Sequence, residues 1–123
     1  MTTYTVDKDG NSIETSKATS KPSDRHFRNA WTLSGTVISE DVATAKTIFK
    51  DKIREVRKPL LEAQDVLYMK AIEDGDSSAQ STVATKKKEI RDAPAASAIT
   101  NATTIAELKS AWNTSLLGAS PYA

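Results

Sequence analysis

Between about Asp41 and Asp92 the apolar residues keep helical time. Val42, Ala45, Phe49, Ile53, Val56, Leu60, Ala63, Leu67 and Ala71 follow one another at steps of three or four. That spacing gathers them into one narrow stripe on an α-helix of about eight turns. Ser39 or Asp41 can cap its start, and Gly75 can stop its end. Pro59 interrupts the run, removing one backbone hydrogen bond and crowding the preceding turn at a cost of ~3 kcal/mol. Two solutions exist: a break, with Pro59 opening a new helix in its first turn, or a bend. The stripe keeps phase from Val56 through Leu60 to Ala63, which a break would not require, so the pattern favours one Pro-kinked helix. Beyond Gly75, Ser77-x-x-Gln80 has the form of a capping box. It predicts a second helix to about Arg91, poor in apolar residues (Ala79, Val83, Ala84, Ile90) and stopped by Pro94.

Upstream the period changes to two. TYTV and SIET alternate around DKDGN, and AWTL and TVIS flank Ser34-Gly35. Each set predicts a β-hairpin, marginal in water by itself. The segment between them, TSKATSKPSD at residues 15–24, has no apolar anchor to offset its ordering entropy and is expected to be a flexible linker. Downstream, small residues lead to Thr104-x-x-Glu107, a second capping box. Ile105, Leu108, Ala111 and Trp112 then predict one short amphipathic helix. The expected fold is α+β: N-terminal hairpins with a linker over residues 1–40, then a helical domain over residues 41–123. That domain comprises the long helix, a helical hairpin and a short C-terminal helix.

Composition narrows the chemistry. The chain has 123 residues, 38% hydrophobic and 27% charged, with a formal net charge of +1. Near-neutral charge argues against nucleic acid as the main partner. No apolar run approaches the ~18 residues of a membrane span, and the N-terminus lacks the basic start and apolar block of a signal peptide. The absence of cysteine removes thiolate chemistry and disulfides. His26 is the only histidine, with no motif tying it to a nucleophile or a ligand cluster. Asp51 with Arg54 and Glu55 with Lys58 are opposite charges at helical spacing, the pattern of a solvated face. Lys86, Lys87 and Lys88 have no interleaved aromatics. No Gly-rich phosphate loop occurs, so neither a cofactor nor catalysis is expected. Trp31 and Trp112 divide, by expectation, into one core residue and one facing a partner.

Arg54-x-x-Arg57, Pro59-Leu60-Leu61, Asp65, Glu73-Asp74-Gly75-Asp76 and then Lys88-x-x-Arg91-Asp92-Ala93-Pro94 resemble the phage tail assembly chaperone family. Its members carry an R-x-x-R-x-x-L-L-x-x-x-D helix followed by L-R-D and a proline; here the second motif reads Ile90-Arg91-Asp92. The upstream Asp24-Arg25-x-Phe27-Arg28-x-Ala30-Trp31, followed by a hairpin, resembles small proteins encoded near tail-fibre genes of phages of marine bacteria. The likeness spans about residues 24–114. It departs from the family after Asp65, where Val66-Leu67-Tyr68-Met69 stands in place of an aromatic pair. The resemblance implies a non-enzymatic protein of the virion tail, made in the host cytoplasm. It would be a structural or adaptor component, or else a chaperone that leaves after assembly. It also implies that Arg54, Arg57, Asp65, Arg91 and Asp92 hold two helices in register.

Packing points the same way. A helix ~45 Å long with so little else to cover its stripe is expected to be buried against copies of itself or a tail or tail-fibre protein. The hairpins are expected to dock by strand addition, with Phe27, Trp31, Leu33 and Val37 at the contact.

Overall fold

The computed structural model describes residues 3–122. Two antiparallel hairpins, β1 (Tyr4–Val6) with β2 (Ser12–Glu14) and β3 (Trp31–Ser34) with β4 (Val37–Glu40), precede the helices. These are α1 (Val42–Glu73), α2 (Ser77–Asp92), α3 (Ser97–Asn101), α4 (Ile105–Ser110) and α5 (Thr114–Leu117). The class is α+β, as the periodicities predict. In the first hairpin Asp7 N–H donates to Asn11 O at 2.8 Å and Gly10 N–H to Asp7 O at 3.3 Å. They close a three-residue loop over Lys8-Asp9-Gly10. In the second, Ser34 pairs with Val37, so the loop is Gly35-Thr36, one residue later than expected. Gly35 has φ +62°, and the first loop position is the one that demands a positive φ.

Helix α1 runs unbroken through Pro59. At its end Gly75, at φ +64°, adopts the left-handed conformation that lets Asp76 N–H reach back to Ala71 O at 3.0 Å, satisfying a terminal carbonyl. The cap of α2 is Asp76, not Ser77: its carboxylate accepts from Ala79 N–H at 3.0 Å. A charged acceptor at the helix N-terminus is favoured by the macrodipole as well. The single C-terminal helix expected from the pattern is instead two short ones, because Asn113 starts a new cap, accepting from Leu116 N–H at 3.1 Å.

The core joins the segment before the second hairpin, proximal α1 and the region after α2. Phe27 and Ala30 pack with Ala45, Phe49 and Ile53 of α1 and with Ile99, Leu108, Trp112 and Leu117 of the C-terminal region. Phe27 and Ala30, before the second hairpin, thus share one core with residues 41–123. Tyr122 closes it. Its ring stacks on Phe27 (centroids 4.8 Å apart) and on Phe49 (5.4 Å), and meets Trp112 edge-on at 6.1 Å. This C-terminal region covers the proximal half of the α1 stripe as far as Leu60. The distal half has only α2 beside it, and the buried side there is narrow: Gln64, Tyr68 and Ala71 turn inward, while Ala63 and Leu67 are exposed.

The segment 15–24 is tied down by polar contacts. Thr19 N–H donates to Thr36 O at 2.8 Å, Ile38 N–H donates to Ser20 O at 2.8 Å, and Ser20 bridges Val37 in parallel. The expectation of a flexible linker counted only apolar burial. Here a neighbouring strand edge supplies backbone partners, and Asp24 is held by Lys109 of α4.

Candidate functional site

The hairpins do not form the expected docking surface. Phe27 (0% exposed) and Trp31 (3%) are core, Leu33 is half-buried, and only Val37 (41%) is open to solvent. The edges of the second hairpin are also occupied from within the chain. On the β3 side, Lys8 N–H donates to Trp31 O at 3.0 Å and Leu33 N–H donates to the Asp7 carboxylate at 3.0 Å. On the β4 side lies the 19–20 segment. Strand addition needs a free row of backbone groups, and the second hairpin has used its own. Trp112 is buried too (6%), its indole N–H donating to Gly118 O at 3.0 Å, so neither tryptophan faces outward.

Asp7 organises the first edge. Its carboxylate also accepts from the backbone N–H of Asp9 and Asn11 and from the Asn11 side chain. Burial by itself would raise this carboxyl; the hydrogen bonds from Asn11, Leu33 and Asp9 together outweigh it and hold Asp7 below the usual carboxylate range.

The five residues expected to set helix register separate into two groups. Arg57 donates to Arg91 O at 2.7 Å, and Asp65 pairs with Lys87, whose ammonium also lies 5.7 Å from the Tyr68 ring centroid. These link α1 to α2. Arg54 pairs with Asp51 at 2.8 Å and Asp92 with Lys88 at 3.4 Å, each within its own helix. Arg91 contributes its carbonyl. The partly exposed Asp65–Lys87 pair is worth roughly 0.2–1 kcal/mol, enough to bias register but not to fold the hairpin.

One cluster of ionisable groups forms where the chain crosses itself. Asp24 meets Lys109, and His26 Nδ1 lies 3.5 Å from the same carboxylate. The Lys109 hydrogen bond, against burial, holds Asp24 low. Glu40 is pushed up, chiefly by burial and then by the Asp24 charge, and one of its carboxylate oxygens is buried without a partner. Sequence reading missed this cluster because its members are up to 85 residues apart. Its geometry is that of a clasp: Asp24 and Lys109 are spent on each other. A separate open groove between α1, α2 and α5 has an apolar floor of Ile53, Ala93 and Leu116, with Lys86, Glu89 and Asp92 at its rim. Among the described residues, no three His, Cys, Asp or Glu side chains are grouped to hold a metal ion. No helix among them is long and apolar enough to cross a membrane.

The unpartnered surface lies on the distal half of α1. Val66 is 69% exposed, Met69 61%, Leu67 48% and Ile72 48%. Residues 66, 69 and 72 recur at helical spacing on the outward side, with Leu67 on its flank. In the proximal half the same side carries Asp51, Arg54, Glu55 and Lys58, all exposed. The solvent face of one continuous helix thus changes from charged to apolar where the body of the protein ends. Compared with models of known protein families, with curated proteins and with solved structures, the chain matches none.

Proposed function

We propose that this chain is a non-enzymatic protein of phage tail morphogenesis, a structural or adaptor component of the virion tail or of tail-fibre attachment. The observation that carries the proposal is the apolar outer face of distal α1. Large side chains at helical spacing are left in water there, which is characteristic of a surface that a neighbour covers. The tail context comes from the motif resemblance. Of the motif residues, Arg57 and Asp65 engage α2 and so steady the hairpin that presents the face. In this reading the body is a rigid base, the α1–α2 hairpin is the projecting arm, and a tail or tail-fibre protein receives it, with copies repeated by the symmetry of the tail.

The test is quantitative mass spectrometry of purified, intact virions. Recovery at a small fixed multiple of the major tail protein is the expected result. Absence from virions together with co-purification with fibre protein from lysates would make the chain a chaperone that leaves after assembly. Absence from both would refute the tail assignment.

A further inference from the structure

The distal α1 face is apolar at its centre and acidic around it. Between residues 62 and 76 the acids are Glu62, Asp65, Glu73, Asp74 and Asp76, against Lys70 alone, a formal charge of −4 in a chain whose total is +1. Asp65 is paired with Lys87, and Asp76 is spent capping α2. Glu62, Glu73 and Asp74 are exposed and form no ion pair among the described residues. An occupant must therefore match apolar side chains at a spacing of three and bring cations to the rim.

A second copy of this face does not meet that requirement. Antiparallel pairing centred on Met69 would set Val66 against Ile72, which suits the apolar centre. The same register sets Asp65 against Glu73 and brings no cation opposite Glu62 or Glu73. Parallel pairing sets every acid against itself. Either arrangement brings like charges together, and juxtaposed like charges suppress a pairing. The chain's own Lys86–Lys88 run does not supply the missing cations to a second copy either. Lys87 is turned to Asp65 and Lys88 to Asp92, and Lys86 lines the groove between α1, α2 and α5.

We infer that the outer face of distal α1, centred on Val66, Met69 and Ile72, receives a basic amphipathic helix of a different protein. Its apolar residues would pack over those three side chains, and its lysines or arginines would pair with Glu62, Glu73 and Asp74. The inference rests on the adaptor reading and gives it a partner chemistry. The apolar centre supplies affinity; the acidic rim supplies orientation and encounter rate.

The test uses the full chain and two synthetic peptides of about 18 residues with leucine at steps of three and four. One carries lysine and arginine at the remaining positions, the other glutamate. Binding is read by fluorescence anisotropy, and the oligomeric state of the free chain by sedimentation. The basic peptide is expected to bind, and the acidic one at least roughly tenfold more weakly. The double variant Val66→Gln, Met69→Gln keeps helix-forming residues. It should show unchanged helicity by circular dichroism and lose about tenfold in affinity. Glu62→Gln with Glu73→Gln should weaken binding and flatten its salt dependence. Equal binding of the two peptides, or full binding by the Val66→Gln, Met69→Gln variant, overturns the inference. So does a wild-type dimer that this variant converts to monomer, because the occupant would then be a second copy. Virion incorporation of the wild-type chain is measured independently, so a failure here leaves the adaptor assignment standing, and the reverse holds.

Discussion

Replacing Tyr122 with alanine tests whether the C-terminus is a structural plug or an appendage. Tyr122 lies beyond the last helix, α5, two residues past Ser120. Its ring nevertheless touches three separated parts of the fold: Phe27 before the second hairpin, Phe49 in α1 and Trp112 after α4. A fully buried aromatic truncated to alanine costs ~3–5 kcal/mol. Tyr122 is half-buried, which removes up to roughly a third of that transfer contribution, while its stacked neighbours add back part of ~0.5–1.5 kcal/mol per pair. The expected loss is about 2–4 kcal/mol. In a domain of this size that lowers Tm by roughly 8–15 °C. Urea titration followed by tryptophan emission is the assay, since Trp112 lies against the site. Tyr4→Ala, at a tyrosine 58% exposed, is the control and should stay within about 0.5 kcal/mol. A Tyr122→Ala loss no greater than that of the control would refute the plug and detach the C-terminus from the core.

The phenol gives a second handle on the same site. Burial first, and then the Glu55 carboxylate, raise Tyr122 above its ordinary value. Folding therefore favours the protonated phenol, and the stability it contributes is present below the unfolded value of about 10 and lost as pH rises through the folded one. Tyr122→Phe should match wild type at pH 7 and lose less stability at alkaline pH. An identical alkaline loss in both would assign the effect to other groups.

The remaining predictions concern charge and backbone. Glu40→Gln should raise stability at pH 7 by on the order of 1 kcal/mol, because it removes a carboxylate charge held partly out of water with one oxygen unpartnered; a loss in urea titration would show that the charge is used. Asp7, Asp24 and Asp41 are all held low, Asp41 first by the Thr44 hydroxyl, so their contribution is complete above about pH 4 and lost as pH falls through their folded values. Glu40 has the opposite sign and is relieved by acid, so Glu40→Gln should steepen the acid limb measured by circular dichroism. Pro59 is exposed and offers no N–H to the Glu55 carbonyl, so Pro59→Ala should stabilise by about 1–3 kcal/mol; destabilisation would mean that the proline's shape seats the two halves of α1.

Much of the fold was legible in the pattern. The two hairpins, the length of α1, its passage through Pro59, its stop at Gly75 and the Thr104 cap follow from local rules that read only a few neighbouring residues. Thr104 Oγ1 does accept from Glu107 N–H at 3.1 Å. What was not legible depends on distance. Phe27 and Trp31 look the same in sequence whether they face a partner or a core; the burial of Phe27 is decided by Phe49, Leu108 and Tyr122, far along the chain. The contacts of the linker were not legible for a related reason. Its Thr19 and Ser20 offer nothing apolar, and the strand edge that orders them is visible only once β4 is placed. Asp65 was read as paired, but its partner is Lys87, from the lysine run that looked merely solvated.

The distal half of α1 is where folding and sequence part company. Two helices laid side by side can each bury one side only, and α2 covers the side marked by Gln64, Tyr68 and Ala71. Val66, Met69 and Ile72 lie beyond its reach, so their apolar character does nothing for the hairpin. Exposed positions of this kind tolerate polar replacement within about 0.5 kcal/mol, and the proximal half of the same helix shows the polar solution with Asp51, Arg54, Glu55 and Lys58. Replacing Val66 and Met69 with glutamine should therefore leave the urea midpoint where it is. If the unfolding free energy falls instead by about 2 kcal/mol or more, the size of a buried-residue loss, those side chains are covered within the chain or by another copy, and the surface is not free to receive a partner. An unchanged midpoint together with lost peptide binding would show that this face serves an interaction rather than the fold.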